Sequence, residues 1–64
     1  MIIVRFEKGS ELLDKMRYDF SKDISIGMAK SYGKMIGATL MTAEYSSGKH
    51  IGIWELKGSK WYKW

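Results

Sequence analysis

The sequence contains no cysteine and no proline, and its one histidine is His50. Without cysteine there is no disulfide and no thiolate metal site, which fits a reducing compartment. A zinc site built on one histidine would need several carboxylates to converge on it. Long apolar runs are missing too. Met1 to Val4 is the longest near the start, and the charged Arg5 and Glu7 interrupt the strand beyond it. That is too short for a signal-peptide core or a membrane span. A cytoplasmic protein with no membrane span is therefore expected.

What is present is a single small α+β domain. A chain of 64 residues buries only about 60% of its unfolded surface and has a thin core. Self-association is a common way to enlarge such a core, so a homodimer is allowed for. The apolar share is 45%, enough to exclude disorder. The net charge of +4 is placed unevenly. Arg5, Lys8, Lys15, Arg17 and Lys22 are balanced by Glu7, Glu11, Asp14, Asp19 and Asp23. Beyond them Lys30, Lys34, Lys49, Lys57, Lys60 and Lys63 meet only Glu44 and Glu55. A one-sided basic region attracts nucleic acid, anionic lipid or an acidic protein.

Residues 2–7 are β-branched and aromatic and alternate, which predicts a strand with Ile2, Val4 and Phe6 inward and Ile3, Arg5 and Glu7 outward. Ser10 after Gly9 reads as a helix N-cap, followed by Glu11 and Asp14 in a first turn. Leu12, Leu13, Met16, Phe20, Ile24 and Met28 make a stripe at helical spacing. Glu11–Lys15 and Asp14–Arg17 add charge pairs at helical separations. A helix over 10–22 is predicted. Ser21, Ser25 and Gly27 allow a break, and Ala29, Tyr32, Met35 and Ile36 a second helical piece ending near Gly37. Strands follow over 38–45, 50–57 and 60–64, joined by a turn at 46–49 and a tight hairpin at Gly58-Ser59. The expected order is β-α(α)-β-β-β, with helix packed on one face of a mainly antiparallel sheet.

The tight turns predict a register. Lys57 faces Lys60, Leu56 faces Trp61, Glu55 faces Tyr62 and Ile53 faces Trp64. Across the other turn Glu44 faces Ile51, Thr42 faces Ile53 and Met41 faces Trp54. Opposed residues share a face. One set holds Thr39, Met41, Ala43, Tyr45, His50, Gly52, Trp54, Leu56, Trp61 and Lys63. The other holds Leu40, Thr42, Glu44, Ile51, Ile53, Glu55, Lys57, Lys60, Tyr62 and Trp64, and its four charges mark it as the solvent face. Apolar residues gathered on a wet face mark an interaction surface.

Catalytic patterns do not assemble. Nothing pairs His50 with a serine, so a structural role beside the turn is the better reading. Asp19 and Asp23, one helical turn apart among Lys15, Arg17 and Lys22, read as a solvated helix face. Gly27 to Gly33-Lys34 fails as a phosphate loop on glycine spacing and on Met35, which stands where a Ser or Thr is needed. Ala29, Gly33 and Gly37 suit close packing of helix on sheet. Met16, Met28, Met35 and Met41 read as core filler.

Two functions stand above background, neither involving catalysis, a cofactor or a metal. The favoured one is a protein-binding regulator or inhibitor of the kind small phage and mobile-element genes encode. Its partner-binding residues would be Ile51, Ile53, Lys57, Lys60, Tyr62, Lys63 and Trp64. The other is a nucleic-acid binder using Lys49, Lys57, Lys60 and Lys63 with Tyr62 and Trp64.

Overall fold

The computed structural model describes residues 1–64. Its elements are β1 (Ile2–Lys8), β2 (Glu11–Tyr18), α1 (Lys22–Ile36), β3 (Leu40–Tyr45), β4 (His50–Lys57) and β5 (Lys60–Lys63). All strands pair antiparallel in one sheet of order β2-β1-β3-β4-β5. The α+β class and the helix-on-sheet layering are as expected, but the first helix is not there.

Residues 11–18 are a strand, which overturns the helix expected over 10–22, whereas the second helical piece expected to end near Gly37 is observed as α1, Lys22–Ile36. Gly9, at φ 62°, turns the chain back with Ser10, so Ser10 is a turn residue and caps nothing. Ile2 then pairs with Tyr18, Val4 with Met16 and Phe6 with Asp14. The register slips between Phe6 and Glu7, so that Glu7 faces Leu12 and Leu13 is the extra residue of a bulge. That bulge accounts for adjacent leucines in a strand: Leu13 packs toward the core while Leu12 stays exposed.

The helix starts at Ser21, whose hydroxyl accepts from the Ile24 N–H at 3.4 Å. It runs unbroken through Gly27 to Gly37, a left-handed cap whose N–H bonds back to Gly33 and Lys34 carbonyls. It connects β2, at one edge, to β3, on the far side of β1, and so crosses the middle of the sheet. The face it buries is made of small residues, Ser25, Ala29 and Gly33, together with Ile26. Ser25 donates to the Phe20 carbonyl at 3.2 Å, so its buried hydroxyl is satisfied.

The core lies between α1 and the facing side of the sheet. Ile2, Val4, Phe6, Tyr18, Met41, Ala43 and Trp54 supply the sheet side, and Ile26, Ala29 and Ala38 complete it. Large sheet residues thus meet small helix residues, a division that allows close approach without voids. Phe6 and Tyr32 meet edge to face with centroids 5.2 Å apart.

Most of the predicted register is observed: Met41–Trp54, Thr42–Ile53, Glu55–Tyr62, Leu56–Trp61 and Lys57–Lys60 are all paired. The exception is Glu44, which faces His50 and not Ile51, because the ladder shifts between Ala43 and Glu44. This displaces Ile51 toward the helix, where it packs against the core. No helix is long and apolar enough to cross a membrane.

Candidate binding surfaces

One helix covers one side of a sheet, so the other side is open. Its residues are given by the pairing. Arg17, Ile3 and Glu44 form one row, and Lys15, Arg5, Thr42 and Ile53 the next; a third holds Glu7, Leu40, Glu55 and Tyr62. The Trp64 N–H donates to the Ile53 carbonyl at 2.8 Å, which extends the second row to Trp64. Tyr62 and Trp64 are exposed.

The seven residues expected to bind a partner therefore divide. Ile53, Tyr62 and Trp64, with Lys57 and Lys60 at the hairpin end, lie together on the open side. Ile51 has been turned to the helix side by the bulge. Lys63 faces Trp54 across the ladder, also on the helix side, with its ammonium 5.5 Å from the indole centroid. Lys49 lies in the turn before β4. Glu7, Glu44 and Glu55 are spread through the open face, so the lysine–aromatic platform is smaller and more acidic than its sequence suggests.

A second surface overturns the reading of Met28 and Met35 as core filler, since both are exposed. Ile24, Met28 and Met35 share the outward face of α1 at separations of four and seven, and Phe20 precedes them by one further step. All four are exposed, from 44% at Met28 to 75% at Met35. Periodicity signals such a stripe but says nothing of which side is buried. Along one flank run Lys30 and Lys34, with Asp23 at the helix start.

A third lies between that flank and the β4–β5 hairpin. Two cavities occur there, of about 360 and 340 Å3, and Lys30 borders both. The Trp61 indole N–H donates to the Lys30 carbonyl at 3.0 Å, fastening β5 to the helix. Gly33 makes that approach possible, since a Cβ there would stand 2.9 Å from Trp61 Cζ2.

Asp14, Tyr18 and Tyr32 depart from their ordinary pKa values. The Tyr32 hydroxyl donates to Asp14, and the Lys15 N–H donates at 2.7 Å. Together these hold the Asp14 carboxyl below its usual value. Tyr32 is raised chiefly by the same hydrogen bond, and Tyr18 by burial. These shifts mark a structural tie between α1 and β2. His50 is exposed at the start of β4, and no buried side-chain polar atom lacks a partner.

Fold and surfaces define a two-layer α+β domain with one uncovered sheet face. Comparison with protein families, curated proteins and solved structures finds no match.

Proposed function

We propose that the chain is a non-catalytic protein-binding domain, a small regulator or inhibitor that docks through the outward stripe of α1. One observation carries this. Apart from Ile26, the helix buries only small side chains and leaves Ile24, Met28 and Met35 in water, with Phe20 exposed just before its N-cap. Contiguous exposed apolar residues of this size mark interaction surfaces, and methionine suits one that must adapt to its partner. Docking follows the helix-in-groove mode, with anchors at i, i+4 and i+11. Because Lys30 and Lys34 flank the stripe, the complementary groove is apolar with an acidic rim.

The test is affinity capture from nuclease-treated extract of the native host, comparing wild type with Met28→Glu/Met35→Glu. The wild type should retain a protein partner and the variant lose it by more than tenfold, as for hot-spot residues. Thermal stability should barely change, since both side chains are exposed. Equal capture by the variant would refute docking on the helix. A wild-type dimer in solution that the variant dissociates would make the stripe a self-association surface and remove the need for another protein.

The open sheet face supports a second reading, because Ile53, Tyr62 and Trp64 adjoin one another there without a covering element. Capture lost on Trp64→Ala but kept in the helix variant would move docking to that face.

A further inference from the structure

We propose that the groove between α1 and the β4–β5 hairpin is a phosphate-binding channel for a single nucleic-acid strand, one that leaves out the apolar anchors of both docking surfaces and shares only the bordering Lys30, Lys34 and Lys60 with them. The first cavity is bordered by Lys30, Ser31, Lys34, Ser59, Lys60 and Trp61, with no carboxylate among them. The second adds Lys22, Lys63 and Trp54, and a single acid, Asp23. Five lysines and one aspartate thus border the two cavities, which meet at the shared Lys30. Taking those five from the eleven basic residues, and Asp23 from the seven acidic ones, leaves six of each elsewhere. The whole net charge of the protein therefore sits in this groove.

The fold holds these charges together against their repulsion. Lys30 and Lys63 reach the same Trp54 ring, their ammonium groups 6.0 and 5.5 Å from its centroid. Cation–π attraction offsets part of the cost of placing them side by side. Gly52 keeps room for this arrangement, because a Cβ there would stand 2.9 Å from both Lys63 Cε and the Trp54 ring. Trp61 fixes the opposite wall through its bond to Lys30. Like charges gathered in a walled cleft raise the local concentration of anions.

The chemistry favours phosphate over carboxylate. Lysine is a point-charge donor that pairs with phosphate and carboxylate alike, but a groove holding a charge of +4 suits a polyanion with one charge per phosphate over an isolated carboxylate. No arginine borders either cavity, while Ser31 and Ser59 add hydroxyl donors. Two cavities joined at Lys30 fit successive phosphates along a strand better than one compact anion. Trp61 offers an indole for stacking, which tolerates any base. Binding without sequence preference is the consequence.

The experiment measures binding of a fluorescent ten-nucleotide thymidine strand over a range of salt, with inorganic triphosphate and a mononucleotide as competitors. Affinity should fall log-linearly with salt. Lys30→Gln and Lys34→Gln should each weaken it about fivefold near 0.1 M salt, from a slope of roughly 0.7 per phosphate contact on single strands. The two small competitors should displace the strand only weakly. Met28→Ser/Met35→Ser, which changes no charge, and Trp64→Ala should leave strand binding unchanged, so failure of this channel and failure of the docking surfaces are told apart. Lys34 is exposed, and a thermal melt of its variant checks that the fold is intact. No strand binding at 50 mM salt would overturn the channel, as would binding indifferent to both lysine variants. Triphosphate bound more tightly than the strand would overturn the assignment to nucleic acid.

Discussion

Two glycines of the same helix should respond to alanine in opposite directions. At Gly27 an added Cβ meets nothing within 4 Å, and the backbone there is ordinary helix. Alanine at such a site should recover most of the helix-propensity difference, about 0.8–1 kcal/mol. At Gly33 the same gain is opposed. The new Cβ would stand 2.9 Å from Trp61 Cζ2 and 3.2 Å from two carbons of the Phe6 ring. Phe6 is fully buried and has nowhere to go, whereas Trp61 is at the sheet edge and only partly buried. The clash should therefore be relieved by moving Trp61 outward, which breaks its bond to the Lys30 carbonyl. Overpacking costs about 1–3 kcal/mol and the lost hydrogen bond about 1 kcal/mol. Against a gain of about 1 kcal/mol from helix propensity, Gly33→Ala should be net destabilising by about 1–3 kcal/mol. For a domain this small, 1 kcal/mol moves Tm by roughly 4–8 °C. Calorimetric melts should show Gly27→Ala above wild type and Gly33→Ala clearly below it. Exchange of the Trp61 indole N–H should accelerate in Gly33→Ala alone. If both variants rise together, the close seat of β5 on α1 is wrong.

Trp54→Ala, at a core position 6% exposed, should cost about 3–5 kcal/mol. Trp64→Ala, at 71% exposed, should stay within about 0.5 kcal/mol of wild type in urea unfolding; parity of the two would invert the face assignment. Trp61→Phe removes the donor to Lys30 and trims the indole that seats on Gly33, and should lose more than about 1 kcal/mol in the same assay. The Asp14–Tyr32 bond contributes to both pH limbs. The folded Asp14 carboxyl lies below its ordinary 3.8, so its contribution is complete above that pH and is lost as pH falls through the folded value. The folded Tyr32 hydroxyl lies above its ordinary 10.0, so its contribution is complete below pH 10.0 and is lost as pH rises through the folded value. Tyr32→Phe should reduce both limbs, with the Lys15 N–H retaining part of the acid one and Tyr18, also raised, part of the alkaline one. An unchanged acid limb would show that the bond contributes nothing.

The same dipeptide shows how far the sequence can be read. Gly58-Ser59 and Gly9-Ser10 both follow a lysine, and both glycines adopt nearly the same left-handed turn, φ 64° and 62°. The first is legible as a hairpin because a strand of alternating pattern precedes it and aromatics come after. The second is masked by its C-terminal neighbours. Glu, Leu, Lys, Met and Arg over 11–17 are all good helix formers, and the Leu12-Leu13 doublet hides the alternation. Beyond the doublet that alternation is intact: Met16 and Tyr18 face the helix, Lys15 and Arg17 the open side. Tertiary pairing with β1, through a bulge, overrides local preference. A bulge also defeats the placement of Ile51, since one unpaired residue reverses a face.

The helical spacing of Ile24 and Met28 marks a real stripe, with Met35 on the same face, but one that faces water and not the core. A repeat near 3.6 identifies residues that share a face, whereas burial depends on what the facing layer can accept. Here that layer is already full. Phe6, Met41, Trp54 and the partly buried Trp61 occupy the space above the sheet, so only Ser25, Ala29 and Gly33, with Ile26, fit against them. Volume complementarity thus decides the helix's rotation, and the larger side chains are turned outward as its consequence. That same rotation puts Lys30 and Lys34 over the hairpin, away from the open sheet. Apolar stripe and basic channel are therefore linked: both arise from the small residues that let the helix sit close.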